Sequence, residues 1–151
     1  MMNKSSIMKR SILFFIFGLI CFNAPCETIR FRILFEVYDN FTGIQYCTPR
    51  YDEDVFLFVT YKGADIECIE CKRGSIFGSW KYITVPNTKN IAKDYDDNIC
   101  EAQYAELTRH NNTTLFLLTT KTLDSNIVRF TLKQVGVNHK NIRTYICVKS
   151  D

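Results

Sequence analysis

The sequence predicts an all-β domain, built as a sandwich or a closed barrel of about eight strands. Two observations carry this. Runs of apolar, β-branched and aromatic residues recur along the chain, several with strict two-residue alternation. Short polar or glycine-bearing breaks separate them, and only residues 99–107, ICEAQYAEL, show any helix propensity.

The first 26 residues read as a secretory leader. Lys4, Lys9 and Arg10 precede an apolar run over residues 11–22 that is too short for a membrane helix. Ala24-Pro25-Cys26 then offers small residues before a cut at Glu27, whereas a cut after Cys21 would keep Cys26. The expectation is an exported domain over 27–151, with no membrane span once the leader is removed. The chain has 19 Lys+Arg and 16 Asp+Glu, so losing the three leader cations leaves 16 against 16. A near-neutral product has no long-range field to draw in nucleic acid or an anionic membrane.

The elements follow in order. Residues 28–38, TIRFRILFEVY, place Ile29, Phe31, Ile33, Phe35 and Val37 on one face and Arg30, Arg32, Leu34 and Glu36 on the other. Residues 39–43 break the run. Residues 55–61 form the next strand, Lys62-Gly63-Ala64 turns the chain, and residues 65–71 run back. Residues 77–84 follow, stopped at Pro86, and residues 87–98 read as a polar loop. Residues 99–107 are a strand or a helical turn. Residues 114–120 and 127–135 flank a hairpin turn at 123–126, and residues 142–149 close the fold after a turn at 136–140.

Export sets the expectation for the sulfurs. Cys47, Cys68, Cys71, Cys100 and Cys147 belong to the mature chain and are expected to be oxidised, with Cys26 joining them if it survives cleavage. Asn40, Asn111 and Asn112 each open an Asn-x-Thr acceptor for glycosylation in a polar, turn-like stretch.

Several residues together resemble an immunoglobulin-like domain. Ile66-Glu67-Cys68 is similar to the cysteine strand of that family, Trp80 follows twelve residues later, and residues 127–135 lead toward Tyr145-Ile146-Cys147. The resemblance implies a sandwich of two antiparallel sheets, with Trp80 and Tyr145 in the core and a disulfide between Cys68 and Cys147. Such a bridge would close about 80 residues, worth roughly 4 kcal/mol. Cys71 would then pair elsewhere, with Cys100 or Cys47. The usual Asp before the Tyr-x-Cys is absent, and four residues after Cys147 leave no final strand.

No catalytic constellation emerges. Cys68-x-x-Cys71 lacks the helix that activates a redox dithiol, and no second cysteine pair completes a zinc knuckle. His110 and His139 lie in polar turns. Asp94, Asp96 and Asp97 lack the spacing of a calcium loop. No cofactor is implied. Gly78-Ser79-Trp80 is also similar to the Gly-x-Trp of lipocalins, but too few residues follow it for the rest of that barrel. Tyr46, Tyr51, Tyr82, Tyr95 and Tyr104 lie in or beside loops and strand ends, positions suited to interface anchors. The expected function is therefore that of a secreted, disulfide-bonded glycoprotein recognising an extracellular protein. The alternative is a lipocalin-like carrier of a small apolar ligand.

Overall fold

A computed structural model describes residues 25–49, 55–73, 79–93 and 99–150. They form ten strands: β1 (Cys26–Asn40), β2 (Gly43–Cys47), β3 (Val55–Lys62), β4 (Asp65–Arg73), β5 (Ser79–Thr84), β6 (Asn90–Lys93), β7 (Ile99–Arg109), β8 (Asn112–Asp124), β9 (Ile127–Gln134) and β10 (Asn141–Lys149). The segment with helix propensity is strand β7, because its alternating Ala102 to Leu107 run packs between two neighbours. β2 and β6 arise where the sequence predicted a break and a loop. Residues 1–24, most of the expected leader, lie outside the described residues, as do Tyr51, Gly78, Tyr95 and the Asp94, Asp96, Asp97 cluster, whereas Cys26 opens β1.

Eight strands close one antiparallel sheet in the order β1, β3, β4, β5, β7, β8, β9, β10 and back to β1. The all-β expectation and its barrel form hold, and the two-sheet immunoglobulin-like sandwich does not. β1 decides this. Its first half pairs with β3 from Cys26↔Lys62 to Arg32↔Phe56, and its second half with β10 from Phe31↔Lys149 to Asn40↔Asn141. One strand bonded to both ends of the sheet removes its edges. β2 lies beside the second half of β1, and β6 beside β7.

An eight-stranded barrel has a lumen just wide enough to be filled by side chains. Leu57, Val59, Ile69, Phe130, Leu132 and Cys147 point into it with no exposed surface. Phe31 meets Phe130 edge to face at 5.4 Å. Each fully buried Leu, Ile or Phe contributes roughly 1.5–3 kcal/mol. Outside, Arg30, Arg32, Glu67, Lys72, Lys81 and Glu106 face solvent. Charged outside and apolar inside is the reverse of a barrel that spans lipid.

Two β-bulges set which residues enter the lumen. One lies in β1 between Ile33 and Phe35. The other lies in β4, where Thr60 faces Cys68 but the next residue, Tyr61, faces Ile66, leaving Glu67 extra. A bulge shifts the two-residue alternation by one, so residues beyond it exchange faces. Glu36 therefore turns inward and Phe35 and Val37 outward. In β4, Ile66, Ile69, Cys71 and Arg73 share the inner face and Cys68 the outer. The irregular backbone of β4 is satisfied by side chains: Thr84 Oγ1 donates to the carbonyls of Ile66 (2.7 Å) and Glu67 (2.9 Å), and Gln103 Nε2 to that of Ile66 (3.1 Å).

Candidate functional site: a cationic mouth on the barrel

Antiparallel pairing brings the ends of β1, β4, β7 and β9 to one end of the barrel, with the starts of β3, β5, β8 and β10. The wall parts there. β1 is paired to β3 only as far as Arg32, and from Glu36 onward β2 takes the place beside it, Glu36 facing Cys47. The opening is a cleft of about 270 Å³ lined by Glu36, Tyr38, Gln45, Cys47, Arg73, Trp80 and Arg143.

Alternation delivers these side chains. Trp80 pairs with Cys71 on the inner face of β5, and Arg73 is two residues beyond Cys71. Arg143 is two residues before Tyr145 on β10, and Arg109 ends β7. Three guanidinium carbons thus gather over the Trp80 ring, at 5.0 Å for Arg109, 5.6 Å for Arg73 and 5.9 Å for Arg143. Arg143 also lies 5.0 Å above the Tyr38 ring. An indole face attracts each cation by about 0.5–1 kcal/mol at a partly exposed site, but the three cations repel one another.

Glu36 relieves part of that repulsion. Its carboxylate is 7% exposed; Oε2 takes the Arg73 Nη2 and Oε1 lies 3.6 Å from Arg143 Nε. Among the described residues it is the one carboxylate lining the cleft, against Arg73 and Arg143, and Arg109 on the Trp80 ring adds a third cation beside them. Burial works against the charge of Arg73, but Glu36 beside it, with Cys71, outweighs that and holds its pKa above the ordinary value.

Beneath this layer lies Tyr145, fully buried. Its hydroxyl, between Cys71 and Arg143, completes no hydrogen bond, and neither does the buried Nε of Arg73. Burial first, then Cys71, pushes the Tyr145 phenol well above its usual range. Burial likewise raises the Cys71 and Cys147 thiols.

The sequence-predicted residues are distributed around this site rather than assembled into one. Cys47, Cys68, Cys71, Cys100 and Cys147, with Cys26, are thiols in this structure. The β4 bulge turns Cys68 to the outer face, against Thr60 and Ile83, while Cys147 is inside. Cys68 and Cys147 are therefore on opposite sides of the wall, and it is Cys71 that shares the lumen with Cys147. Cys100 is buried under β6 and donates to the Ala92 carbonyl at 3.4 Å. Cys47 is exposed at the cleft.

Trp80 is half-buried at the mouth instead of central between sheets. Asn40 sits at the β1–β2 turn, its Oδ1 accepting from Thr42 N at 2.9 Å, and Asn111 and Asn112 are exposed at the β7–β8 turn. Tyr46 is 67% exposed and Tyr104 36%, whereas Tyr82 is buried. Sequence reasoning missed Glu36, Arg73, Arg109 and Arg143. A signal for two of them was present: any strand that buries Tyr145 and Cys71 puts Arg143 and Arg73 on the same faces.

No protein-family profile matches the chain, and no curated protein or solved structure is detectably similar to it.

Proposed function

We propose that this chain is an exported binding protein and that its recognition centre is the cationic mouth of the barrel. The observation that carries this is the convergence of Arg73, Arg109 and Arg143 on Trp80 at the place where the wall opens. Packing three like charges together costs stability, and such a cost is retained where it serves recognition. Carriage of an apolar ligand within the lumen is less well supported, because a ligand there would have to displace Phe31, Ile69 and Phe130.

Recognition of an extracellular protein has its own support in the β1–β2 hairpin. Phe41 (77%), Ile44 (48%) and Tyr46 (67%) are exposed on it, close to the mouth. A protein partner would cover this hairpin and insert a group into the cleft.

The test is a ligand screen followed by two-dimensional NMR of the indole and arginine side chains. Ligands are expected to move the Trp80 indole N–H and the Arg109 and Arg143 signals together. Shifts confined to the opposite end of the barrel, around Gln103 and Tyr61, would overturn the assignment.

A further inference from the structure

We propose that the mouth binds a small organic oxyanion, a carboxylate or a phosphate ester, held by Arg109 and Arg143 above the Tyr145 hydroxyl. This rests on reading the mouth as the recognition centre and names the chemistry of what enters it.

Charge is the first reason. Arg73 and Arg143 line a part-closed cleft with the one carboxylate of Glu36, and Arg109 adds a third cation on Trp80, the cleft's aromatic wall; attraction to an anion is stronger there than in open water. Guanidinium groups present paired N–H donors in a plane, the geometry that matches the two oxygens of a carboxylate or phosphate. Arg109 has no ion pair among the described residues, and its guanidinium is free to turn toward a ligand while keeping one face on the indole.

The second reason is independent of charge. Tyr145 Oη and Arg73 Nε are buried and complete no hydrogen bond, with the Cys71 sulfur, a weak acceptor, beside them. Leaving such groups unpaired costs about 1–3 kcal/mol each. The surrounding cationic groups supply further donors, so what the site lacks is an oxygen acceptor. Glu36 shows the preference already, since its carboxylate is drawn inward between Arg73 and Arg143.

The rest of the ligand is limited by size. A cleft of about 270 Å³ falls just below the range that encloses drug-sized molecules. Tyr38 and Trp80 give it aromatic walls, which favours an acid with a compact apolar body over an inorganic ion.

Trp80 is the only tryptophan in the chain, so its emission reports on the site alone. The experiment titrates the purified exported protein with benzoate, phenyl phosphate and uncharged benzamide. Benzoate or phenyl phosphate is expected to change Trp80 emission saturably, and the stronger of the two identifies the acid class. Benzamide is expected to have at least tenfold lower affinity.

Arg143→Gln and Arg109→Gln should each weaken the preferred anion at least tenfold, with Lys81→Gln, an outward cation beside Trp80, having no effect. Glu36→Gln should tighten it, because a competing carboxylate is removed. Arg109 is exposed, so its variant tests the site even where Arg143→Gln fails to fold. If both anions bind no better than benzamide, or both arginine variants leave binding unchanged, the proposal is overturned. Saturable binding of benzamide alone would sink the anion chemistry and leave the mouth as the recognition centre. Silence of Trp80 toward all three compounds, together with absent NMR shifts at the mouth, would remove both.

Discussion

Glu36 and Arg73 form an ion pair across the opening where β1 has parted from β3. Among the described residues no backbone pairing joins β1 to β3 beyond Arg32, so a side-chain contact does there what the ladder does elsewhere. Glu36 is nearly closed off from water, while Arg73 is 28% exposed.

Removing one partner should therefore hurt more than the pair is worth. Arg73→Met leaves the Glu36 carboxylate buried with only Arg143 at 3.6 Å, and is expected to cost about 2–3 kcal/mol. Glu36→Gln should cost less, since the arginines retain access to water in the cleft. Combining the two should cost less than the sum. Urea unfolding of the four proteins measures each term, and strict additivity would show that the pair is not coupled.

The β4 bulge yields a second prediction. Thr84→Val keeps the shape but removes the hydroxyl that serves the carbonyls of Ile66 and Glu67. It should cost about 1–2 kcal/mol, and Thr84→Ser should restore most of it. A Thr84→Val protein as stable as the parent would mean that water satisfies the bulge.

These bulges also explain how far the sequence could be read. Strand positions, turns and the all-β class follow from alternation and breaks, which are local. The sheet's closure is not local; it depends on β1 pairing with two strands whose partners lie far along the chain. Period-two reading places Phe31 and Ile33 inside correctly, then assigns Phe35 and Val37 inward and Glu36 outward, because nothing in ILFEV announces an extra residue. The same slip on β4 put Cys68 with Ile66 and hid Cys71 and Arg73. The mouth is hard to read for this reason: Glu36 lies two residues past the β1 bulge, and Arg73 shares the face of Cys71 on the stretch of β4 that the second bulge turns over.

Thiol accessibility gives a third prediction. In the reduced, folded protein, Cys47, and Cys26 where it survives cleavage, should react with a membrane-impermeant maleimide within minutes and the half-buried Cys68 more slowly, whereas Cys71, Cys100 and Cys147 should react only on unfolding. Peptide mapping after brief labelling reads this directly. Fast labelling of Cys71 with protection of Cys68 would reverse the facing of β4.

A fourth concerns alkaline pH. Cys71, Cys147, Tyr82 and Tyr145 all have pKa values raised by burial, so the folded state holds their protons more tightly than the unfolded chain. Their contribution is complete below the unfolded thiol pKa, about 8.5, and is lost as pH rises above it toward the folded values. The melting temperature is expected to be flat near neutrality and to fall from about pH 9 upward. Cys71→Ala/Cys147→Ala should lower stability at neutral pH through lost packing, but should move the onset of the alkaline decline upward toward the phenol range.

The β7–β8 hairpin links stability to the mouth, because its first strand ends in Arg109. Arg109 pairs with Asn112, leaving a two-residue turn in which His110 and Asn111 both have positive φ, 47° and 65°. That is a type I′ turn, whose twist matches the flanking strands and whose preferred sequence is Asn-Gly. His110 has a Cβ that crowds the backbone in this region, and Asn111 tolerates it only in part. His110→Asn/Asn111→Gly should gain about 0.5–1 kcal/mol in urea unfolding. It keeps the Asn112-Thr113-Thr114 acceptor. His110→Val, branched at Cβ, should instead lose about 1 kcal/mol or more, and by loosening the turn should reduce the contact between Arg109 and Trp80. Trp80 emission would then shift in the valine variant and stay constant in the Asn-Gly variant. If both variants unfold at the parent's urea midpoint, the turn is not of this type in solution.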